Sequence, residues 1–278
     1  MRGLVLVLGV VTAACGLGLE GTRLSADDAS VPPDDAGATD ASLPPPPACT
    51  PVVVKDPLTS IDTATWKIVK DGNNGSYPKL VPAPESPLPS PTLSLVTPAG
   101  SSRGGLWLQT KVPTRAFDVT FSVYVRCVSG CADGLAVAWL KALDAKVLDT
   151  ATRGRTLGIP PTVAGGAVAI DVYRNSQTGD GPTPSVELLA IDGAQNPGDY
   201  AWVKATGPAD VTLTGALRKV SIRARAGEVE VSVDDVLAAK TPLPLGFPAI
   251  FGITAATGGE VASYFVRDFS GSFYDCDP

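Results

Sequence analysis

An all-β fold, a sandwich of two antiparallel sheets, is what this sequence predicts, on three observations. Apolar residues alternate with polar ones at Phe117, Val119, Phe121, Val123 and Val125, then at Val220, Ile222 and Ala224, and again at Val229, Val231 and Val233. A period of two marks half-buried strands. The 29 glycines and 26 prolines punctuate these runs with turns. No long stretch keeps a helical period, and no repeat of solenoid or propeller length recurs. Many short alternating strands between turn clusters build sandwiches.

The first residues read as an export signal. Met1-Arg2 supplies one positive charge, Gly3 to Ala14 an apolar run, and small residues follow. The run is too short for a comfortable transmembrane helix. Cys15 follows Thr12-Ala13-Ala14, which resembles a bacterial lipobox with Thr12 where Leu is usual. Residues 1–15 are expected to be a signal peptide ending at a lipidated Cys15. The chain would then be an exported lipoprotein of the cell envelope or surface, held to the membrane by its lipid alone. Ordinary cleavage after Ala14 and secretion is the alternative. Parity favours lipidation, since the chain has five Cys and an even number would remain.

Residues 16–48 are expected to be a disordered tether. They hold Asp27, Asp28, Asp34, Asp35, Asp40 and the run Pro44 to Pro47, with few large apolar residues. Such a segment cannot bury enough surface to fold, and its prolines extend it. With Glu20 it sets six acids against Arg23, so it carries nearly all of the net charge of −6. The remainder is close to neutral and lacks the clustered basic surface that a nucleic-acid partner requires.

Residues 49–278 are expected to form the folded domain. Export allows disulfides. Cys127 and Cys131 are near enough in sequence to close a tight loop, and Cys49 and Cys276 flank the domain. Four cysteines allow other pairings, but 127–131 with 49–276 is the expected one.

The strand Val168 to Val172 runs into a polar loop that places oxygen donors at Asp171, Tyr173, Asn175 and Asp180. Alternate side chains of an extended chain share a face, so Asp171 and Asn175 point the same way. The Tyr173 carbonyl can lie between them, and Asp180 can return across the loop. Two carboxylates, an amide oxygen and a carbonyl form a hard-oxygen set suited to Ca2+. Without Cys or His the set argues against zinc or copper.

The same residues carry a resemblance. Asp171-x-Tyr173-x-Asn175-x4-Asp180 after an apolar strand resembles the metal loop of the legume-type (L-type) lectins, in the concanavalin A-like lectin/glucanase superfamily. Ala132-Asp133-Gly134-Leu135-Ala136-Val137 resembles their Ala-Asp-Gly-Ile-Ala-Phe segment. Gly154-Arg155-Thr156-Leu157-Gly158-Ile159 is similar to their Gly-Arg-Leu-Leu-Gly-Leu loop, and the run Phe251 to Gly258 to their Val-Gly-Leu-Ser-Ala-Ser-Thr-Gly strand and loop. The resemblance spans residues 50–275 and is weak over 50–115.

It implies a concanavalin A-like jelly-roll β-sandwich in which calcium fixes the loops that touch sugar. Asp133 would accept hydrogen bonds from two adjacent sugar hydroxyls, a task suited to the two oxygens of a carboxylate. In the family that Asp follows a cis peptide, so Ala132–Asp133 is expected to be cis. Asn175 would serve both calcium and sugar. Gly154 and Arg155 would offer backbone N–H groups, and Arg155 also its guanidinium. The loop after Thr257, Gly258-Gly259-Glu260-Val261, lies where the family varies its specificity, with Gly259 and Glu260 as its candidate sugar contacts. Tyr173 could stack on a sugar face or pack as a strand residue. Many lectins pair through a flat back sheet, so a homodimer is open to this chain.

The departures matter. The lectins' transition-metal site uses a Glu and a His where this chain has Ala169 and Ser185, and the chain has no His. That second metal site is expected to be absent, with Glu187 near enough to substitute as a ligand. The related glucanases present Glu-x-Asp-x-Glu on one strand, a spacing not found here. Glu228 and Glu230 alternate with valines as a solvated strand face, and Asp234-Asp235-Val236 reads as a hairpin turn. Without His, Ser-His and Cys-His nucleophile systems are excluded. The expected function is therefore calcium-dependent glycan binding without catalysis. A structural or adhesion module working through protein contacts is the alternative, and a divergent glycosidase a more distant one.

Overall fold

A computed structural model of the chain describes residues 43–46, 48–70, 77–82, 85–88, 91–96, 98–142, 151, 153–173, 184–193, 201–203 and 213–276. Cys15, nearly all of the tether, Asn175 and Asp180 lie outside the described residues.

The described residues form two antiparallel sheets. Fifteen strands follow in chain order: β1 (Val52–Asp56), β2 (Trp66–Lys70), β3 (Lys79–Val81), β4 (Thr92–Ser94), β5 (Arg103–Leu108), β6 (Ala116–Ser129), β7 (Gly134–Leu140), β8 (Gly165–Asp171), β9 (Ser185–Ile191), β10 (Ala201–Val203), β11 (Leu217–Arg225), β12 (Glu228–Val233), β13 (Val236–Pro242), β14 (Ile250–Ala256) and β15 (Val261–Tyr274). The eight-stranded sheet runs β13-β12-β11-β6-β15-β4-β3, with β1 also paired to β15. The seven-stranded sheet runs β10-β9-β8-β7-β14-β5-β2. The predicted fold class is the observed one.

The alternation along β6 is realised residue by residue. Phe117, Val119, Phe121, Val123 and Val125 are buried, while Asp118, Thr120, Ser122 and Tyr124 are half-exposed. The buried set meets the other sheet through aromatic edges. Phe117 lies 5.2 Å from Trp139 and 5.5 Å from Phe251, both in edge-on arrangements. Such pairs add to what burial alone contributes.

β7, β8 and β14 are buried at every position, so they read as continuous apolar runs instead of alternating ones. Leu135, Val137 and Trp139 face the main core. Ala136, Ala138, Ala167 and Ala169 pack under a second apolar layer that includes Leu157, Ile159 and Val163. This layer covers the sheet beside the loop cluster described below.

Both disulfides join the expected partners, Cys49 with Cys276 and Cys127 with Cys131. The expected hairpin also forms: β12 and β13 meet with Val233 opposite Val236, and Asp234 and Asp235 take φ of 50° and 65°. Two positive φ values in a two-residue turn match the twist of the flanking strands. Arg225 is buried at 2% exposure, donates to the Phe117 and Ala224 carbonyls, and pairs with the Asp118 carboxylate.

Candidate functional site

Four chain segments meet at one end of the seven-stranded sheet. The first leaves β6 at Ser129, turns through Gly130 (φ 63°) and Cys131, and enters β7 across the Ala132–Asp133 bond. That bond is cis, as expected. The Asp133 backbone is pinned on both sides. Its N–H donates to the Ala256 carbonyl at 3.1 Å, and its own carbonyl accepts from the Val172 N–H at 2.9 Å.

The second segment is the 3-10 turn Gly154–Thr156, closed by Leu157 in the left-handed region at φ 54°. The third is Thr257 to Glu260. Gly154 donates its N–H to the Thr257 carbonyl at 3.3 Å. This is the backbone donor expected to serve a sugar hydroxyl, and it points toward the Thr257 carbonyl in this arrangement. A Cβ at Gly154 would stand 3.7 Å from Asp133 Oδ2, and one at Gly258 only 2.8 Å from it. The Asp133 carboxylate therefore rests between two glycines, at 3% residue exposure.

Thr257 locks this arrangement. It is fully buried, and its N–H donates to the Ser102 carbonyl at 2.8 Å. Its hydroxyl donates to the Ala99 carbonyl at 2.8 Å and accepts from the Ser102 N–H at 3.0 Å. Ser101 adds an N–H to the Gly258 carbonyl at 2.7 Å.

The fourth segment is the end of β8. Asp171 sits opposite Gly134 and is 2% exposed. Its Oδ1 accepts the Tyr173 N–H at 2.9 Å, which turns the chain as a side-chain-capped loop entry. Tyr173 is 38% exposed, so its ring is open to solvent and not packed as a core strand residue. Beneath these loops Tyr264 is fully buried, and its hydroxyl has no hydrogen-bond partner among the described residues. Burial, then the negative fields of Asp133 and Asp171, push its phenol well above the ordinary range. One neutral phenol thus senses both carboxylates from below.

The oxygen set can be judged in part. Asp171 and Tyr173 are described, while Asn175 and Asp180 are not. Among the described residues no group of three or more His, Cys, Asp or Glu side chains gathers. Asp171 brings a buried carboxylate and Tyr173 a backbone carbonyl to the same loop, and both are hard-oxygen donors of the kind Ca2+ takes. The residues present fit Ca2+ to that extent. Glu187, 3% exposed, pairs across from Ala169 and accepts the Ser185 hydroxyl at 3.1 Å.

Arg155 lies half-exposed in the 3-10 turn, and Gly259 is exposed at the rim. Glu260 is half-exposed and lies over Gly130, where a Cβ would stand 2.3 Å from its Oε2. The sequence places Gly258 in the loop where specificity varies and marks neither Thr257 nor Tyr264 as a site residue. The Ala-Thr-Gly run points toward Thr257, whereas nothing local marks the tyrosine.

No protein-family model and no curated protein sequence matches this chain. Solved structures do. The exoplasmic/lumenal domain of VIP36 in its Ca2+/Man3GlcNAc-bound form is similar at TM-score 0.58 and 16% identity, over 77% of this chain and 86% of that one. Basic winged bean lectin with Tn-antigen is similar at TM-score 0.59 and 17% identity, over 80% of this chain and 98% of that one. The chain has the L-type lectin fold. The carbohydrate recognition domain of Emp46p, in a potassium-bound form, agrees at TM-score 0.56 and 15% identity over 79% of this chain and 95% of that one. Within that L-type lectin fold, the loop cluster around Asp133 is the candidate site.

Proposed function

We propose that this chain is a calcium-dependent carbohydrate-binding domain, without catalysis, carried on an exported lipoprotein. The observation that carries the reading is the Asp133 carboxylate, fixed by backbone bonds on both sides and bracketed by Gly154 and Gly258. A carboxylate accepts two hydroxyl donors at once, and adjacent sugar hydroxyls present such a pair. The glycines let a ligand approach backbone closely. Exposed Tyr173 offers a ring face to the apolar C–H patches of a sugar.

Asp171, the Tyr173 carbonyl, Asn175 and Asp180 would hold the Ca2+. The ion would supply a counter-charge for the buried carboxylates and a tie between loops. This chain's residues do the rest: Asp133 accepts hydrogen bonds from sugar hydroxyls, Asn175 donates an amide N–H, and Arg155 approaches from the facing turn. Cys15 would carry the lipid, and residues 16–48 would give the domain reach. Among the described residues no helix is long and apolar enough to cross a membrane.

The test is a glycan array with the full chain in calcium and again in chelator, alongside Asp133→Asn. Calcium-dependent binding to defined sugars, lost in the variant, supports the reading. A folded, calcium-loaded chain that binds no glycan overturns it and leaves an adhesion module.

A further inference from the structure

We propose that the Cys127–Cys131 ring is a wall of the sugar site that holds the Glu260 carboxylate at the rim, where it selects against acidic sugars. The inference rests on the carbohydrate-binding reading above.

The ring sits where β6 gives way to the Asp133 segment. Ser129 pairs with Val261 and Cys127 with the next residue, Ala262, so Val128 is an extra residue in the β6 edge. This bulge pushes Val128 out to 54% exposure. Bulges of this kind re-aim side chains beside binding sites. The disulfide spans a sequence separation of only 4, against 227 for Cys49–Cys276. So short a loop removes little entropy from the unfolded chain, so its effect is mainly local.

The local consequence is the seat of Glu260. Gly130 holds φ at 63°, a conformation suited to glycine. Its bare Cα lets the Glu260 side chain lie flat: a Cβ there would stand 2.3 Å from Oε2, 2.6 Å from Cδ and 2.9 Å from Cγ. The Ser129 hydroxyl approaches the same Oε2 at 3.4 Å. Glu260 therefore lies along Gly130 and Ser129 while remaining half-exposed. It follows Gly258, which touches Asp133, by two residues. A ligand carboxylate entering here would meet Glu260 at the rim and Asp133 beneath it. Like-charge juxtaposition is an effective way to reject a wrong partner.

The experiment uses the full chain with three probes, namely mannose, galactose and glucuronic acid conjugates. Glu260→Gln should raise glucuronic acid binding about tenfold relative to the neutral sugars, as relief of one like-charge contact predicts. The double variant Cys127→Ser, Cys131→Ser should show a smaller shift in the same direction, because Glu260 keeps its charge but loses its fixed seat. Should that variant fail to fold, Gly130→Ala displaces Glu260 with the disulfide intact and should give the same smaller shift. Unaltered selectivity in Glu260→Gln, or in a folded ring variant, overturns the inference while the sugar reading stands. Absence of any sugar binding by the folded wild type overturns both.

Discussion

Gly258 lies directly against the Asp133 carboxylate, so that a side chain there would begin 2.8 Å from Oδ2. The two residues are far apart in sequence, and the Thr257 hydrogen bonds hold them in contact. Substitution of Gly258 by alanine should move the carboxylate and leave the sandwich intact. We expect sugar affinity to fall about tenfold, equivalent to about 1.4 kcal/mol. Calorimetric titration of the variant reads this, and the calcium-induced shift in melting temperature should be retained.

Substitution of Asp171 tests the proposed calcium site. Asp171→Ala should abolish calcium stabilisation, because a buried oxygen donor is removed and the turn to Tyr173 loses its cap. A ligand present at a hundred times its Kd stabilises by about 2.7 kcal/mol, and this increment should vanish. Thermal melts with calcium and with chelator should coincide in the variant and differ in the wild type. An undiminished calcium shift in Asp171→Ala would remove this residue from the cation site.

Legibility differed sharply along the chain. The strands at Phe117–Val125 and Val229–Val233 could be read directly, because one face of each meets the core and the other meets solvent. β3 and β4, three residues each, are too short to display any period. β1 shows why 50–115 was weak: Val52 and Val53 stay exposed, and only Asp56 is buried, accepting the Trp66 indole N–H at 2.7 Å. Asp133 was visible because its neighbours are contiguous with it. The Gly154–Gly258 bracket was not, since it exists only when distant loops meet. The Tyr264 hydroxyl, without a hydrogen-bond partner among the described residues, likewise follows from which rung of β15 faces Asp133 and Asp171.

Arg225 should be a stability determinant with no role in binding. Its guanidinium donates to two carbonyls and one carboxylate from a nearly sealed position. Arg225→Ala should cost about 2–4 kcal/mol, through unsatisfied acceptors and lost packing. Urea unfolding measures this, and glycan selectivity should not change.

Acid should weaken the β12–β13 hairpin. Burial pushes the Asp234 carboxyl up, but the Lys219 N–H and the Arg218 guanidinium, both at 2.8 Å, outweigh it and hold the group below its ordinary 3.8. A depressed carboxyl contributes stability above its unfolded value and loses it as pH falls through the folded one. Stability should therefore decline below about pH 4, and Asp234→Asn should flatten part of that decline. Asp62, lowered by its bonds to Thr65 and Ala64, adds to the same limb. Melting temperatures from pH 6 down to acid compare the two proteins.

The Cys49–Cys276 bond has a mechanical meaning. β1 lies beside β15, with Val52 opposite Phe273, and β15 is paired on its other side to β6. A pull arriving from residues before Cys49 would otherwise peel β1 away one hydrogen bond at a time. The covalent link passes that load directly to the C-terminal end of β15, a strand flanked on both sides. The strain then enters the sheet at its doubly paired strand and bypasses β1, so the domain can be tugged from its leading end while the loops around Asp133 keep their shape.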